Sequence, residues 1–117
     1  NLGHIVCIAD KDSIVATAGG TSRDYHEKSI SPELEQIIAG KKTVIVNGNE
    51  GTPFYSIIAN EQNTDKYSAQ VIVPIISEGD PIGAVILLSK EPGVVMGDME
   101  VKVAETAAGF LGKQMEQ

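Results

Sequence analysis

The residues able to do chemistry in this chain are few, and their spacing limits what they can do. The single cysteine, Cys7, stands three positions from His4 in the apolar run His4-Ile-Val-Cys-Ile-Ala9. In a strand alternate side chains point to opposite faces, so two residues three apart diverge and cannot share a metal ion. His26 is the only other imidazole in the chain. A cysteine in an apolar strand behaves as a small inert hydrophobe unless a base activates it, and no partner histidine is evident. The Gly19-Gly20-Thr21-Ser22 segment has the residue types of an anion site at a helix N-terminus. It lacks both the lysine-serine ending of a P-loop and the spacing of a dinucleotide fingerprint, so it reads as a strand-to-helix turn. Asp10 and Asp12 read as solvated turn formers. These residues predict no catalytic group, no metal site and no cofactor.

The aromatic residues carry more information, because three tyrosines and two phenylalanines are all the chain has. Tyr25, Phe54, Tyr55 and Tyr67 fall in or beside connecting segments. Aromatic side chains on loops over a sheet either line a ligand pocket or plug the end of the core. Both readings stand at this level. As a pocket, Tyr25, Phe54, Tyr55 and Tyr67 form its lining, with Thr17 on the second strand as a polar anchor.

The elements that must position these residues are legible from pattern. His4–Ala9 and Ser13–Thr17 are apolar runs around the turn Asp10-Lys11-Asp12, which predicts a β-hairpin. Both faces of the first run are apolar, which predicts a central hairpin in a sheet covered on both sides. Ser22 to Lys28 reads as a short polar helix capped by Ser22. Ser31-Pro32-Glu33 is a clearer helix start, with Leu34, Ile37 and Ile38 on one face and Gly40 as the stop. Lys42–Asn47 reads as a strand. Asn47 to Lys66 is weakly patterned, as functional or mobile connections tend to be. Tyr67–Ser77 and Ile82–Ser89 read as a long antiparallel hairpin around Glu78-Gly79-Asp80-Pro81. Pro74 cannot donate to a ladder and belongs at a bulge or an unpaired position. A last helix is expected from Asp98, its cap, with Val101, Ala104, Ala108, Leu111 and Met115 at the helical period. Ala104, Ala108 and Gly112 form a strip of small residues that lets another helix or a sheet approach closely.

Composition bounds the function. Nine basic and sixteen acidic side chains in 117 residues leave a net charge of −7. That balance argues against gripping nucleic acid or an anionic membrane surface, both of which need basic side chains. The hydrophobic fraction of 42% supports a packed core. No apolar run approaches the roughly 20 residues of a membrane span. One cysteine forms no internal disulfide, which fits a reducing cytoplasm.

Two segments then carry a resemblance. Val71-Ile-Val-Pro-Ile-Ile-Ser-Glu-Gly-Asp-Pro-Ile-Gly-Ala-Val-Ile-Leu88 resembles the strand-turn-strand signature of GAF domains, which read apolar-Pro-apolar, a polar turn, then Ile-Gly-apolar-apolar. The run Glu105-Thr-Ala-Ala-Gly-Phe-Leu-Gly-Lys-Gln-Met-Glu-Gln117 is more specific. With Gly79–Val85, Lys28-Ser-Ile-Ser31, Gly3-His4 and Ala9-Asp10-Lys11-Asp12, it is similar to the C-terminal domains of the stage V sporulation protein T family. These are transcriptional regulators of endospore-forming bacteria. The likeness extends over essentially the whole chain and is weakest across Asn47–Lys66.

The resemblance implies an α/β (α+β) GAF-like fold, an antiparallel sheet of about six strands with helices packed on it. It implies that residues 1–117 are one regulatory or sensor domain, without enzymatic activity, of an AbrB-family sporulation regulator. DNA would be bound only through an AbrB-like N-terminal domain missing from this chain, and a helix preceding Asn1 is expected to be missing as well. It further implies a homo-oligomer, dimer and tetramer in the parent protein, with Ala104, Ala108 and Gly112 serving helix contacts, and a small-molecule effector controlling DNA binding. A purely structural oligomerisation module is the alternative. A free methionine sulfoxide reductase on the same fold is a remote one, since those enzymes use several cysteines where this chain has one.

Overall fold

A computed structural model describes residues 4–115. Gly3, Glu116 and Gln117, which belong to the quoted motifs, lie outside the described residues, as does the side chain of Met115. Strands β1 (His4–Ala9) and β2 (Ile14–Ala18) form the expected hairpin. Asp10 shapes its turn: its side-chain oxygen accepts from the N–H of Asp12 at 2.7 Å and of Ser13 at 2.8 Å. After a short 3-10 turn at Ser22–Asp24 come helix α1 (Pro32–Gly40) and strand β3 (Val44–Asn47). Strands β4 (Ala69–Ser77) and β5 (Asp80–Ser89) and helix α2 (Asp98–Met115) complete the fold.

The five strands form one antiparallel sheet in the order β2-β1-β5-β4-β3. The first hairpin is therefore not central. Strand β5 is, because its run from Gly83 to Ser89 is buried throughout and needs a neighbour on each edge. Strand β2, with Val15 and Ala16 exposed, tolerates the sheet edge.

The β4–β5 turn is tighter than the sequence suggested. Glu78 and Gly79 alone make it, both at positive φ (53° and 86°), and Ser77 pairs directly with Asp80. Two residues of that hand match the twist of a hairpin, and glycine takes the second at no steric cost. Pro74 pairs with Ala84, lies past the last β3 contact at Ile72, and precedes an irregularity at Ile75/Ile76. No strand asks it for a donor on the β3 side.

Among the described residues the sheet has five strands, not six. Phe54–Ala59, within the weakly patterned connection, contributes only the isolated bridge Ile30↔Ile58. The reason is that side chains take its backbone donors: Tyr55 N–H donates to Gln70, Ser56 N–H to Glu33 and Ile57 N–H to Glu61.

Helix ends follow local chemistry with small shifts. Ser31 caps α1, its hydroxyl oxygen accepting from Leu34 N–H at 3.0 Å, and Pro32 takes the first helical position. Gly40 is the last helical residue, and Lys41, not glycine, turns left-handed at φ 60°. The expected helix at 22–28 shrinks to a single turn over Ser22–Asp24 with Thr21, not Ser22, at its cap; of the expected span Tyr25 alone is buried, so no helical face has a core to pack on. At α2, Asp98 is the first helical residue. Gly97 precedes it and donates its N–H to Glu100 at 2.8 Å, half of a capping box.

Both faces of the sheet are covered. On one lie Ile5, Cys7, Ile72, Ile86 and Leu88 with Leu34 and Ile38 of α1 and the residues of the long connection. On the other lie Val71, Val73, Val85 and Leu87 with Ala104 and Ala108 of α2. Ala104, Ala108 and Gly112 therefore face this chain's own sheet. A Cβ on Gly112 would stand 2.2 Å from the Ile76 carbonyl oxygen. The strip lets α2 settle on β4, the sheet contact that small residues permit. Among the described residues no helix is long and apolar enough to cross a membrane.

Candidate functional site

Between α1's face of the sheet and the connection from β3 to β4, the chain buries a polar cluster. Tyr25 comes from the turn after β2 and is 1% exposed; Tyr67 stands just before β4 and is 4% exposed. Their hydroxyls meet at 2.6 Å. Tyr67 donates onward to Glu61 Oε2 at 2.5 Å, so Tyr25 is the donor to Tyr67. Lys66 Nζ lies 2.7 Å from the same Glu61 oxygen. The other oxygen, Oε1, accepts from the N–H groups of Ile57 at 2.6 Å and Ile58 at 3.4 Å. The Glu61 side chain is only 2% exposed.

This surrounding sets the protonation states. Burial alone would raise the Glu61 carboxyl, but the Ile57 N–H, Lys66 and Tyr67 outweigh it and hold it below its ordinary value of 4.5. Burial and then the bond to Glu61 push the Tyr67 phenol far up. Burial also raises that of Tyr25. The network is thus a neutral tyrosine pair feeding one buried carboxylate. Cys7 lies on the same sheet face, where burial first and the Glu61 charge second push its thiol up to about 12. A thiol so placed is no nucleophile at neutral pH.

The proposed lining residues divide by position. Tyr25, Phe54 and Tyr67 come together, with the Phe54 and Tyr67 rings 6.1 Å apart and tilted. Tyr55 is held through its backbone: Gln70, buried on β4, accepts from Tyr55 N–H at 3.0 Å and donates to its carbonyl at 2.7 Å. Thr17 pairs opposite Cys7 and so shares this sheet face, half-buried on the edge strand. His4 and Cys7 point to opposite faces, and no three metal-ligating side chains gather among the described residues. Thr21, in the glycine-rich turn, accepts from Lys90 Nζ at 2.9 Å, and that ammonium lies 5.3 Å above the Tyr25 ring.

Three buried polar side chains that tie loops to the sheet went unseen in the sequence. Glu61 sits in a polar tract with no pattern to mark it. Gln70 did carry a signal, as the one polar residue in the run Ala69–Ile76. Asn47 matched a strand end; it is buried on the α2 side, where its amide donates to Met96 O and accepts from Met96 N–H, each at 2.9 Å. Each amide, Gln70 and Asn47, pairs with a loop residue's backbone as a strand would.

Comparison with known proteins places this architecture. Residues 1–116 match the sequence profile of the family described as stage V sporulation protein T C-terminal, transcription factor. The chain belongs to that family. The family's curated relative in Bacillus subtilis (strain 168), stage V sporulation protein T, is 39% identical over 117 residues. The match takes in all of this chain but only 62% of that protein's length. Among solved structures, a type II free methionine-R-sulfoxide reductase from Thermoplasma acidophilum superposes with a TM-score of 0.68 at 14% identity, covering 93% of this chain and 76% of that one. A domain described as from a two-component sensor histidine kinase protein of Sinorhizobium meliloti 1021 gives 0.61 at 17% identity, covering 95% and 77%. At such identities these two show a shared fold, the GAF-like one the strand-turn-strand motif suggested. The family name places the chain in transcription regulation and sporulation.

Proposed function

We propose that residues 1–117 are a single regulatory domain of a sporulation transcription factor, binding a small-molecule effector that controls DNA binding elsewhere in the parent protein. The observation that carries this reading is the cluster of Tyr25, Tyr67, Phe54 and Glu61 beneath a connection held by side-chain hydrogen bonds and one isolated β-bridge. Such a connection can open without breaking a strand ladder, at a cost well below global unfolding. An effector acts only if it binds one of the two loop states better, since equal affinity shifts nothing. The net charge of −7 supports leaving DNA contact to another part of the protein. The lone, buried Cys7 supports a non-enzymatic role in a reducing cytoplasm. A thermal-shift and calorimetric screen of the chain with metabolites tests the reading: a stabilising ligand supports it, and a comprehensive screen without one sinks it.

A specific observation favours oligomerisation as a second role. Met99, Val103 and Phe110 on the outer side of α2 are 74%, 59% and 63% exposed. Val103→Glu on that side, rather than a change at Gly112, tests the contact: a smaller particle by sedimentation supports it, and an unchanged one counts against it.

A further inference from the structure

Glu61 does more than close a loop. Four donors converge on its carboxylate in two pairs. The main-chain N–H groups of Ile57 and Ile58 point at one oxygen, and the Tyr67 hydroxyl and Lys66 ammonium at the other. Two amides, a hydroxyl and a cation about one carboxylate make a complete receptor for that group. The Phe54 ring stands 6.1 Å from that of Tyr67, and Ile57 is fully buried beside them, so the receptor has an apolar wall. The charge is carried by the chain itself, from a residue whose neighbour, Asn60, turns left-handed at φ 66°. Burying an ion only to staple a loop is a poor source of stability, because desolvation offsets most of the attraction.

We propose that this receptor is a binding site for small organic carboxylates, which Glu61 occupies as an internal stand-in and which a free carboxylate enters by displacing it. The proposal rests on the effector-binding reading above and names the ligand class. When Glu61 swings out about Asn60, the Ile57 and Ile58 N–H groups, Tyr67 and Lys66 transfer to the incoming carboxylate. The rest of the ligand then lies against Phe54, and the connection between β3 and β4 adopts its second state. The competition lowers apparent affinity for any ligand by the fraction of chains already open.

Acetate is the probe, with chloride at equal ionic strength as the control. In the Glu61→Ala chain, acetate should raise the melting temperature saturably where chloride does not. Adding Tyr67→Phe should weaken that response about tenfold by removing a donor to the charge. In the unmodified chain, acetate should move the Ile57 and Ile58 amide resonances saturably, at higher concentration than in the variant. Acetate acting no differently from chloride on both chains overturns the proposal. So does acetate binding to the variant alone, which would make the site a filled structural socket. Should Glu61→Ala not fold, the resonances of the unmodified chain decide by themselves. A metabolite without a carboxylate that stabilises the chain through Tyr25 and Tyr67 would overturn this proposal while leaving the regulatory reading intact.

Discussion

The hydroxyl of Tyr25 lies 2.6 Å from that of Tyr67, joining residues 42 positions apart in the chain. That contact bears on both sequence readings of the aromatic residues, core plug and pocket lining. Tyr25 and Tyr67 do plug the core, yet their polar ends meet inside it and terminate on a carboxylate. A plug of this kind is a polar network, and its members have unequal weights.

Tyr67→Phe removes a donor to the Glu61 charge and strands the Tyr25 hydroxyl, so it should cost about 2 kcal/mol. Tyr25→Phe removes only a neutral bond and should cost about 1 kcal/mol. Urea unfolding of the two variants checks the ranking. A larger loss for Tyr25→Phe would mean that the network does not end on Glu61.

Acid should unfold the chain partly through Glu61. Its carboxyl ionises more easily folded than unfolded, so the stability it adds is present above the ordinary value of 4.5 and is lost as pH falls through the lower folded value. Glu100, held down chiefly by the Gly97 N–H, acts with the same sign. Stability measured from pH 7 to pH 3 should fall less steeply for Glu61→Gln than for the unmodified chain. Parallel curves would remove Glu61 from the account.

Cys7 should be silent toward thiol reagents in the folded chain. It is 0% exposed and its thiol is pushed up to about 12. Its modification rate should track the unfolded fraction through a urea titration. Fast labelling without denaturant would show that the α1 face of the sheet opens locally.

Two glycines three positions apart in α2 should respond with opposite signs. Gly112→Ala drives a methyl against the Ile76 backbone carbonyl, 2.2 Å away, and should cost about 1–3 kcal/mol. At Gly109 a Cβ meets nothing within 4 Å, so Gly109→Ala should gain up to about 1 kcal/mol from helix propensity alone. Thermal unfolding of both variants reads the difference. Equal effects would mean that α2 does not rest on β4 through Gly112.

Local chemistry determined much of this protein before any folding. The apolar runs of β1, β4 and β5, the Ser31-Pro32 helix start and the period of α2 each bury or cap groups within a few residues of themselves. The strand-turn-strand motif around Gly79 carried the GAF-like fold for the same reason, since a hairpin is written in adjacent residues. Only the tertiary structure decided the rest. It set β5 rather than β1 at the centre, turned Ala104, Ala108 and Gly112 toward the chain's own sheet, and gave Phe54–Ala59 side-chain partners in place of a strand. Above all it brought Tyr25, Tyr67 and Glu61 together. Periodicity reports which way a side chain faces, but not what it meets there. A carboxylate in a polar tract has the same local signature whether it ends in water or beneath two tyrosines.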